Sequence, residues 1–287
     1  MLESSPRERY FNAMKRNVSI LVSALLALSA PAPSFAASSD WTSTPGGQIR
    51  LTALPPAEDG TVRAMLDIRL SPGWKTYWRD PGESGIPPTI DVTAASGATL
   101  ETIGFPPPRH FDDGTTRYTG YDHSVKLPFS LSQDPGSGGG KITAAVFLGI
   151  CKDICIPVQA ELATDTGAET FTNPLEKAAI EEAEAKLPGK PAKDFKPLSA
   201  RWSEDRKRLS VVFRAPEAAD GALPEVFFSG PPGFQFEQPG TVSRNGRDYS
   251  AHVELVHKPK SADLATAPIL LTVRSGERAM ETPLAIE

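Results

Sequence analysis

The stretch VFLGICKDICIPVQAEL, residues 146–162, holds both cysteines of the chain, Cys151 and Cys155, with three residues between them. Setting the two cysteines opposite each other across the turn Lys152-Asp153-Ile154 fixes a hairpin register. Ile150 then faces Ile156, Leu148 faces Val158, Val146 faces Ala160 and Ala144 faces Leu162. Every one of these pairs is apolar, as the core side of a sheet requires. The other side pairs Gly149 with Pro157, Phe147 with Gln159 and Ala145 with Glu161, a mixed face expected to be half-exposed. The cysteines therefore belong at the tip of a β-hairpin, away from the main core. Directly opposed strand residues have Cα atoms about 4.5–5.5 Å apart, within disulfide range.

The same alternation runs outward from this hairpin. TVRAMLDIRL (61–70) places Val62, Ala64, Leu66, Ile68 and Leu70 on one face. IRLTAL (49–54), TIDVTA (89–94), ATLETIGF (98–105), VKLPFSL (125–131) and KITAAVFLGI (141–150) continue it, separated by joints such as SQDPGSGGG. Several short strands at this spacing predict an antiparallel sandwich. NPLEKAAIEEAEAKLPG (173–189) breaks the pattern. Asn173 is suited to cap a helix, Pro174 to its first position and Pro188-Gly189 to its end. Ile180, Ala183 and Leu187 share one face, and the segment KPAKDFKP reads as a linker. Strands resume at RLSVVFRA (208–215), EVFFSG (225–230), YSAHVELV (249–256) and PILLTVRS (268–275), with Asn245-Gly246 as a tight-turn signal. His252 and His257 sit alone there and read as strand or surface residues.

The expected fold is mostly β: two immunoglobulin-like antiparallel sandwiches joined by a helix and linker. The expected boundaries are 41–165 for the first, 166–197 for the connection and 198–287 for the second. Residues 1–36 read as an extension and a signal peptide. Lys15 and Arg16 precede the apolar run VSILVSALLALSA (18–30), and small residues lead to a cleavage site near Ala36–Ala37. Met14 is a plausible true start. The run is too short for a membrane anchor, so the mature chain is expected to be exported and not membrane-spanning. The 28 prolines and 23 glycines suit short strands and frequent turns. The formal net charge of -5 becomes more acidic once a segment with Arg7, Arg9, Lys15 and Arg16 against Glu3 and Glu8 is removed. Such a balance argues against nucleic acid as a partner.

Three chemistries are open to the cysteine pair. A structural staple is common in exported proteins, but a loop of about five residues contributes only about 2 kcal/mol by chain entropy. A short pair at a hairpin tip is better suited to thiol–disulfide exchange, in which one sulfur attacks and the other resolves the mixed disulfide. Lys152 favours a thiolate and Asp153 opposes it. Two thiolates at this spacing would also hold Cu(I). The spacing resembles that of copper-assembly proteins with a thioredoxin fold, but IPVQAELAT alternates like a strand where that fold has a helix. Otherwise no metal and no cofactor is indicated.

Three stretches carry a family resemblance: LSPGWKTYWRDPGESGIPP (70–88), FPPPRHFDDGTTRYTGYDHSVKLPF (105–129) and FLGICKDICIPVQAEL (147–162). Over about residues 41–165 the chain resembles the N-terminal periplasmic domain of the thiol:disulfide interchange protein DsbD and of its relative ScsB, with GWKTYWRDPG nearer the ScsB-like branch. The resemblance implies an immunoglobulin-like sandwich with a redox-active pair, matched by Cys151 and Cys155, with Cys155 forming the mixed disulfide with the electron donor. It implies thioredoxin-like periplasmic partners and a membrane electron carrier of the DsbD/CcdA type. Because the chain stops at Glu287, either these are expected to be separate proteins or the electron-transfer role is expected to have been lost. A loop that shields the cysteines in the family maps to HFDDGTTRY, where Asp112 and Asp113 match its acidic residues. Gly114 stands at the position of the shielding aromatic, and Phe111 is the nearest aromatic. Tyr77 matches an aromatic lining the site. For Tyr77, Trp74 and Trp78, core packing and turn structure are the other reading.

Overall fold

The cysteine hairpin forms as its alternation predicts. Strands β10 (Lys141–Cys151) and β11 (Cys155–Asp165) pair antiparallel along their whole length, in register Cys151↔Cys155, Ile150↔Ile156, Leu148↔Val158, Val146↔Ala160 and Ala144↔Leu162. The structure, a computed structural model, describes residues 37–287 apart from 83, 84, 113, 115, 116, 137 and 168–172. The expected signal segment 1–36 and Asp113 lie outside the described residues.

Two antiparallel sheets face each other over the first core. One runs in the order β1 (Thr42–Thr44), β2 (Gly47–Ala53), β3 (Thr61–Leu70), β9 (Val125–Gln133), β6 (Ala98–Ile103). The other runs β11, β10, β4 (Lys75–Tyr77), β8 (Arg117–Tyr121), β7 (Arg109–Asp112), with β5 (Thr89–Val92) also on β10. Ile49, Leu51, Leu66, Ile68 and Leu127 from the first sheet meet Ala144, Val146, Leu148 and Ile150 from the second. Strands β4, β7 and β8 fall in stretches that read as turn or loop. They are three to five residues long, rich in polar and aromatic residues, and bounded by Pro and Gly. Alternation is too short there to show.

The helix α1 (Pro174–Ala185) starts as expected: the Asn173 side chain accepts a hydrogen bond from the Leu175 N–H at 2.9 Å. It ends before Pro188-Gly189, and Leu187 packs beyond its end beside Gly104. Ile180 and Ala183 are buried with Leu54 and Met65, so the helix covers the outer face of the first sheet. Ion pairs Arg63–Glu184 and Lys126–Glu182 tie it down. Among the described residues no helix is long and apolar enough to cross a membrane.

The second pair of sheets consists of β12 (Lys196–Trp202), β13 (Arg208–Arg214) and β17 (Asp248–His257), with β15 (Gln235–Phe236) and β16 (Ser243–Asn245) on β17, facing β14 (Glu225–Ser229), β18 (Leu270–Ser275) and β19 (Arg278–Pro283). One local reading needs correction. The last two residues of KPAKDFKP already belong to β12, and Phe195 is buried in the second core, so the linker's end is structural. The tight hairpin expected at Asn245-Gly246 forms. Asn245 pairs with Asp248, leaving Gly246-Arg247 as the two-residue loop, with Gly246 at φ 62°. A positive φ at the first loop position alone is met by glycine there.

The strand β14 binds the two halves together. Its apolar run Val226-Phe227-Phe228 is buried on both faces. Val226 and Phe228 join the second core, whereas Phe227, 1% exposed, joins the first, beside Trp78 at a ring-centroid distance of 5.9 Å. The Arg79–Glu281 ion pair at 3.2 Å, largely enclosed, lies on the same junction. Residues from Ala37 onward accordingly form one compact unit. Phe227→Ala is expected to cost about 3–5 kcal/mol in a denaturant titration. Because the cavity opens in the first core, probes in both halves should shift together.

Candidate functional site

The two cysteines form a disulfide, with their Cα atoms 4.2 Å apart, at the end of the β10–β11 ladder. The two cysteines are unequal in access. Cys151 is 7% exposed, while Cys155 and the turn residues are exposed, Ile154 to 70%. The mixed face of the hairpin matches expectation at its far end, where Phe147, Gln159 and Glu161 are exposed. Near the tip it is covered. Gly149 is buried, and a Cβ there would stand 2.7 Å from the Tyr77 ring and 2.9 Å from Ile86. The missing side chain is what admits the Tyr77 ring against the strand.

Tyr77 is thereby brought onto the disulfide. Its hydroxyl lies 2.9 Å from Cys151 Sγ and 2.7 Å from Cys155 Sγ. A disulfide carries no proton, so the tyrosine O–H donates. Burial, with a smaller contribution from Tyr118, pushes the Tyr77 phenol above its usual range, which keeps that proton in place. Tyr77, Tyr118 and Cys151 form a small cluster separate from the main core, with Ile86 and Phe111 packed against it. Tyr118 meets Tyr77 edge-on at 5.7 Å and stacks on Phe111 at 5.0 Å. Lys75, the register partner of Cys151, holds its ammonium 5.3 Å from the Phe111 ring and 5.2 Å from the Tyr118 ring. A cation beside the pair favours a thiolate.

The stretch HFDDGTTRY is a hairpin of β7 and β8 in which Phe111 pairs with Tyr118 and Asp112 with Arg117. Alternation sends these pairs to opposite faces. Phe111 goes to the sulfur side, while Asp112 accepts from Gly114 N at 2.9 Å and Arg117 Nε at 3.0 Å and is not brought to the cysteines. Trp78 is buried in the main core, and Trp74 packs at its margin. Sequence reasoning passed over Lys75, Ile86 and Tyr118. The signal that would have found Tyr118 is its pairing with Phe111 across a short hairpin. Among the described residues no group of three or more His, Cys, Asp or Glu side chains is placed to hold a metal ion.

Behind β7–β8 lies a cleft of about 530 Å³, lined by Trp78, Asp80, His110, Asp112, Phe227 and Gln238 among others. His110 stacks on Phe227 at 4.4 Å, and its Nε2 lies 2.9 Å from the Val226 carbonyl. A carbonyl only accepts, so Nε2 carries the proton, and in the neutral ring Nδ1 accepts from the Thr119 hydroxyl at 3.1 Å. Burial lowers the His110 pKa and keeps the ring neutral.

Residues 47–167 match the family of the thiol:disulfide interchange protein DsbD, N-terminal domain. This DsbD-like segment contains the whole cysteine site. Residues 186–287 match a domain of unknown function. The crystal structure of the N-terminal periplasmic domain of ScsB from Proteus mirabilis superposes with a TM-score of 0.68 at 23% identity, covering 87% of this chain and 98% of that one. At that identity the likeness establishes the fold: the DsbD-like segment and the region after it occur together in one architecture. A conserved domain protein from Bacillus anthracis aligns at 10% identity, over 82% of this chain and 75% of that one, with a TM-score of 0.22, too low to carry weight. No curated protein matches the chain.

Within the DsbD-like segment, Asp80 is a carboxyl strongly altered by its surroundings. Among the described residues its Oδ2 is buried without a hydrogen-bond partner, and enclosure raises its pKa from 3.8 to about 7, partly offset by the Gly82 N–H. A carboxyl raised on folding contributes no penalty below its unfolded pKa and loses stability as pH rises through its folded one. The stability of Asp80→Asn relative to the wild type is therefore expected to grow between about pH 4 and about pH 8, measured by denaturant midpoints across that range.

Proposed function

We propose that this protein is a thiol–disulfide exchange protein that relays electrons through Cys151 and Cys155 from a thioredoxin-like or membrane-bound donor to oxidised exported proteins. The observation that carries the reading is the asymmetric disulfide, one cysteine exposed and one enclosed, with the Tyr77 hydroxyl on both sulfurs, in a segment matching the DsbD N-terminal family. A donor thiolate attacks Cys155 Sγ, the accessible sulfur. The S–S bond breaks, and Cys151 leaves as a thiolate and takes up a proton. The donor's second thiol, losing its own proton, then attacks the mixed disulfide. The donor ends oxidised, and the pair ends as a dithiol carrying two electrons and two protons. Passing them on repeats the sequence in reverse against a substrate disulfide.

The surroundings suit these steps. The Tyr77 hydroxyl is 2.9 Å from the leaving sulfur and binds an anion more strongly than a neutral acceptor. Lys75 supplies positive charge from the neighbouring strand. Phe111 and Tyr118 enclose Cys151 and restrict approach to the Cys155 side. Residues 41–165 act as the redox sandwich, 166–195 as the connection and 196–287, from the start of β12, as a second sandwich, with residues 1–36 serving export to the periplasm. The similar ScsB structure is that of a periplasmic domain.

Titration with a thioredoxin-like donor, followed by thiol trapping, is expected to open the disulfide reversibly. A bond that stays closed under strongly reducing conditions would identify a structural staple instead. Tyr77→Phe should slow opening about tenfold by removing the donor to the departing thiolate, measured as the loss of disulfide after mixing with reduced donor. Cys151→Ser, offered an oxidised thioredoxin-like partner, should capture it on Cys155: the Cys155 thiolate displaces one sulfur of the partner's disulfide, and no Cys151 is left to release the mixed disulfide, which is seen by mass.

A further inference from the structure

The family match assigns nothing to the second half of the chain, yet that half reaches the cysteine site through one side chain. The Gln238 Nε2 donates to the carbonyl of Phe111 at 3.1 Å and to that of Tyr118 at 2.9 Å. These two residues are register partners in the β7–β8 hairpin, and their rings pack with Cys151. Nε2 carries two hydrogens, enough for one bond to each strand.

We propose that Gln238 is a positioning residue for the Phe111–Tyr118 pair, so that the second sandwich sets how closely the disulfide is enclosed. The proposal rests on the exchange reading above. Gln238 itself is held on both sides: Glu237 N donates to the Glu254 carbonyl at 3.0 Å, and Gly240 N to the His252 carbonyl at 3.2 Å, both on β17. Phe236, two residues earlier, is buried in the second core. The amide therefore projects from a fixed frame. His110, the residue before Phe111, is fixed to the same half by its bond to Val226 and its stacking on Phe227. One face of the β7–β8 hairpin thus rests on the second sandwich while the other presents Phe111 and Tyr118 to the sulfurs. The hairpin's own ladder is short, running from Arg109↔Gly120 to Asp112↔Arg117. Both contacts that fix His110 and the two hydrogen bonds from Gln238 come from outside the DsbD-like segment.

The test compares opening of the disulfide by a small phosphine, tris(carboxyethyl)phosphine, in the full chain, in Gln238→Leu and in Gln238→Glu. Leucine removes both donors at similar size, and glutamate sets a carboxylate against two carbonyl oxygens. The opening rate is expected to rise about tenfold in each variant. Phe213→Leu, deep in the second core and away from the hairpin, serves as the control: it should lower the unfolding midpoint without changing that rate. Wild-type rates in both Gln238 variants, or an equal rise in the Phe213 control, would overturn the proposal. Misfolding of both Gln238 variants would also overturn it, by assigning the residue to the fold. If the wild-type disulfide resists a thioredoxin-like donor while the phosphine rates still separate, the relay reading falls and the positioning role stands.

Discussion

The antiparallel register of β10 and β11 is the constraint on which the rest depends. A shift of one residue would turn Ala144, Val146, Leu148 and Ile150 out of the core and bring Ala145, Phe147 and Gly149 in. It would also separate the cysteines and move Gly149 from beneath Tyr77. Core formation and the placement of the sulfurs are thus one decision. The apolar face fixes the phase of the strand, and the same phase puts Cys151 and Cys155 across from each other on the opposite face. No separate device is needed to bring the pair together.

A second layer of order follows from alternation in short strands. In β7 and β8 each residue that faces the sulfurs has neighbours that face the second sandwich. Phe111 and Tyr118 serve the site, while His110 and Thr119 serve the junction. In β14, Val226 and Phe228 fill one core and Phe227 the other. Both strands act as partitions with a different occupant on each side. This is how a half with no chemistry-bearing cluster of its own comes to bear on the cysteine environment.

The hairpin, its register, the sandwich class and the helix cap at Asn173 were legible in the sequence because each rests on a local pattern: alternation, capping and turn residues. Tyr77 was legible through the resemblance, and the structure gives it a contact with both sulfurs. What escaped was non-local or too short for periodicity. Strands of three to five residues show no reliable alternation, so β4, β7 and β8 read as loops. Gln238 lies 127 residues from Phe111 in the chain, and nothing in its neighbourhood marks it. The linker reading of KPAKDFKP failed at Phe195 because composition favoured an exposed tether, whereas one buried aromatic ring fixes its end. Asp112 matched an acidic position, but its side chain faces away from the cysteines, because a hairpin sends adjacent residues to opposite faces.

The chain has two cysteines, four positions apart in one local hairpin. Such a pair meets as soon as the turn closes, before distant strands have assembled. No wrong intramolecular partner exists for either sulfur. Within this sequence, closing the pair therefore calls for an oxidant and not for an isomerase, and its mispaired disulfides are adducts with other molecules.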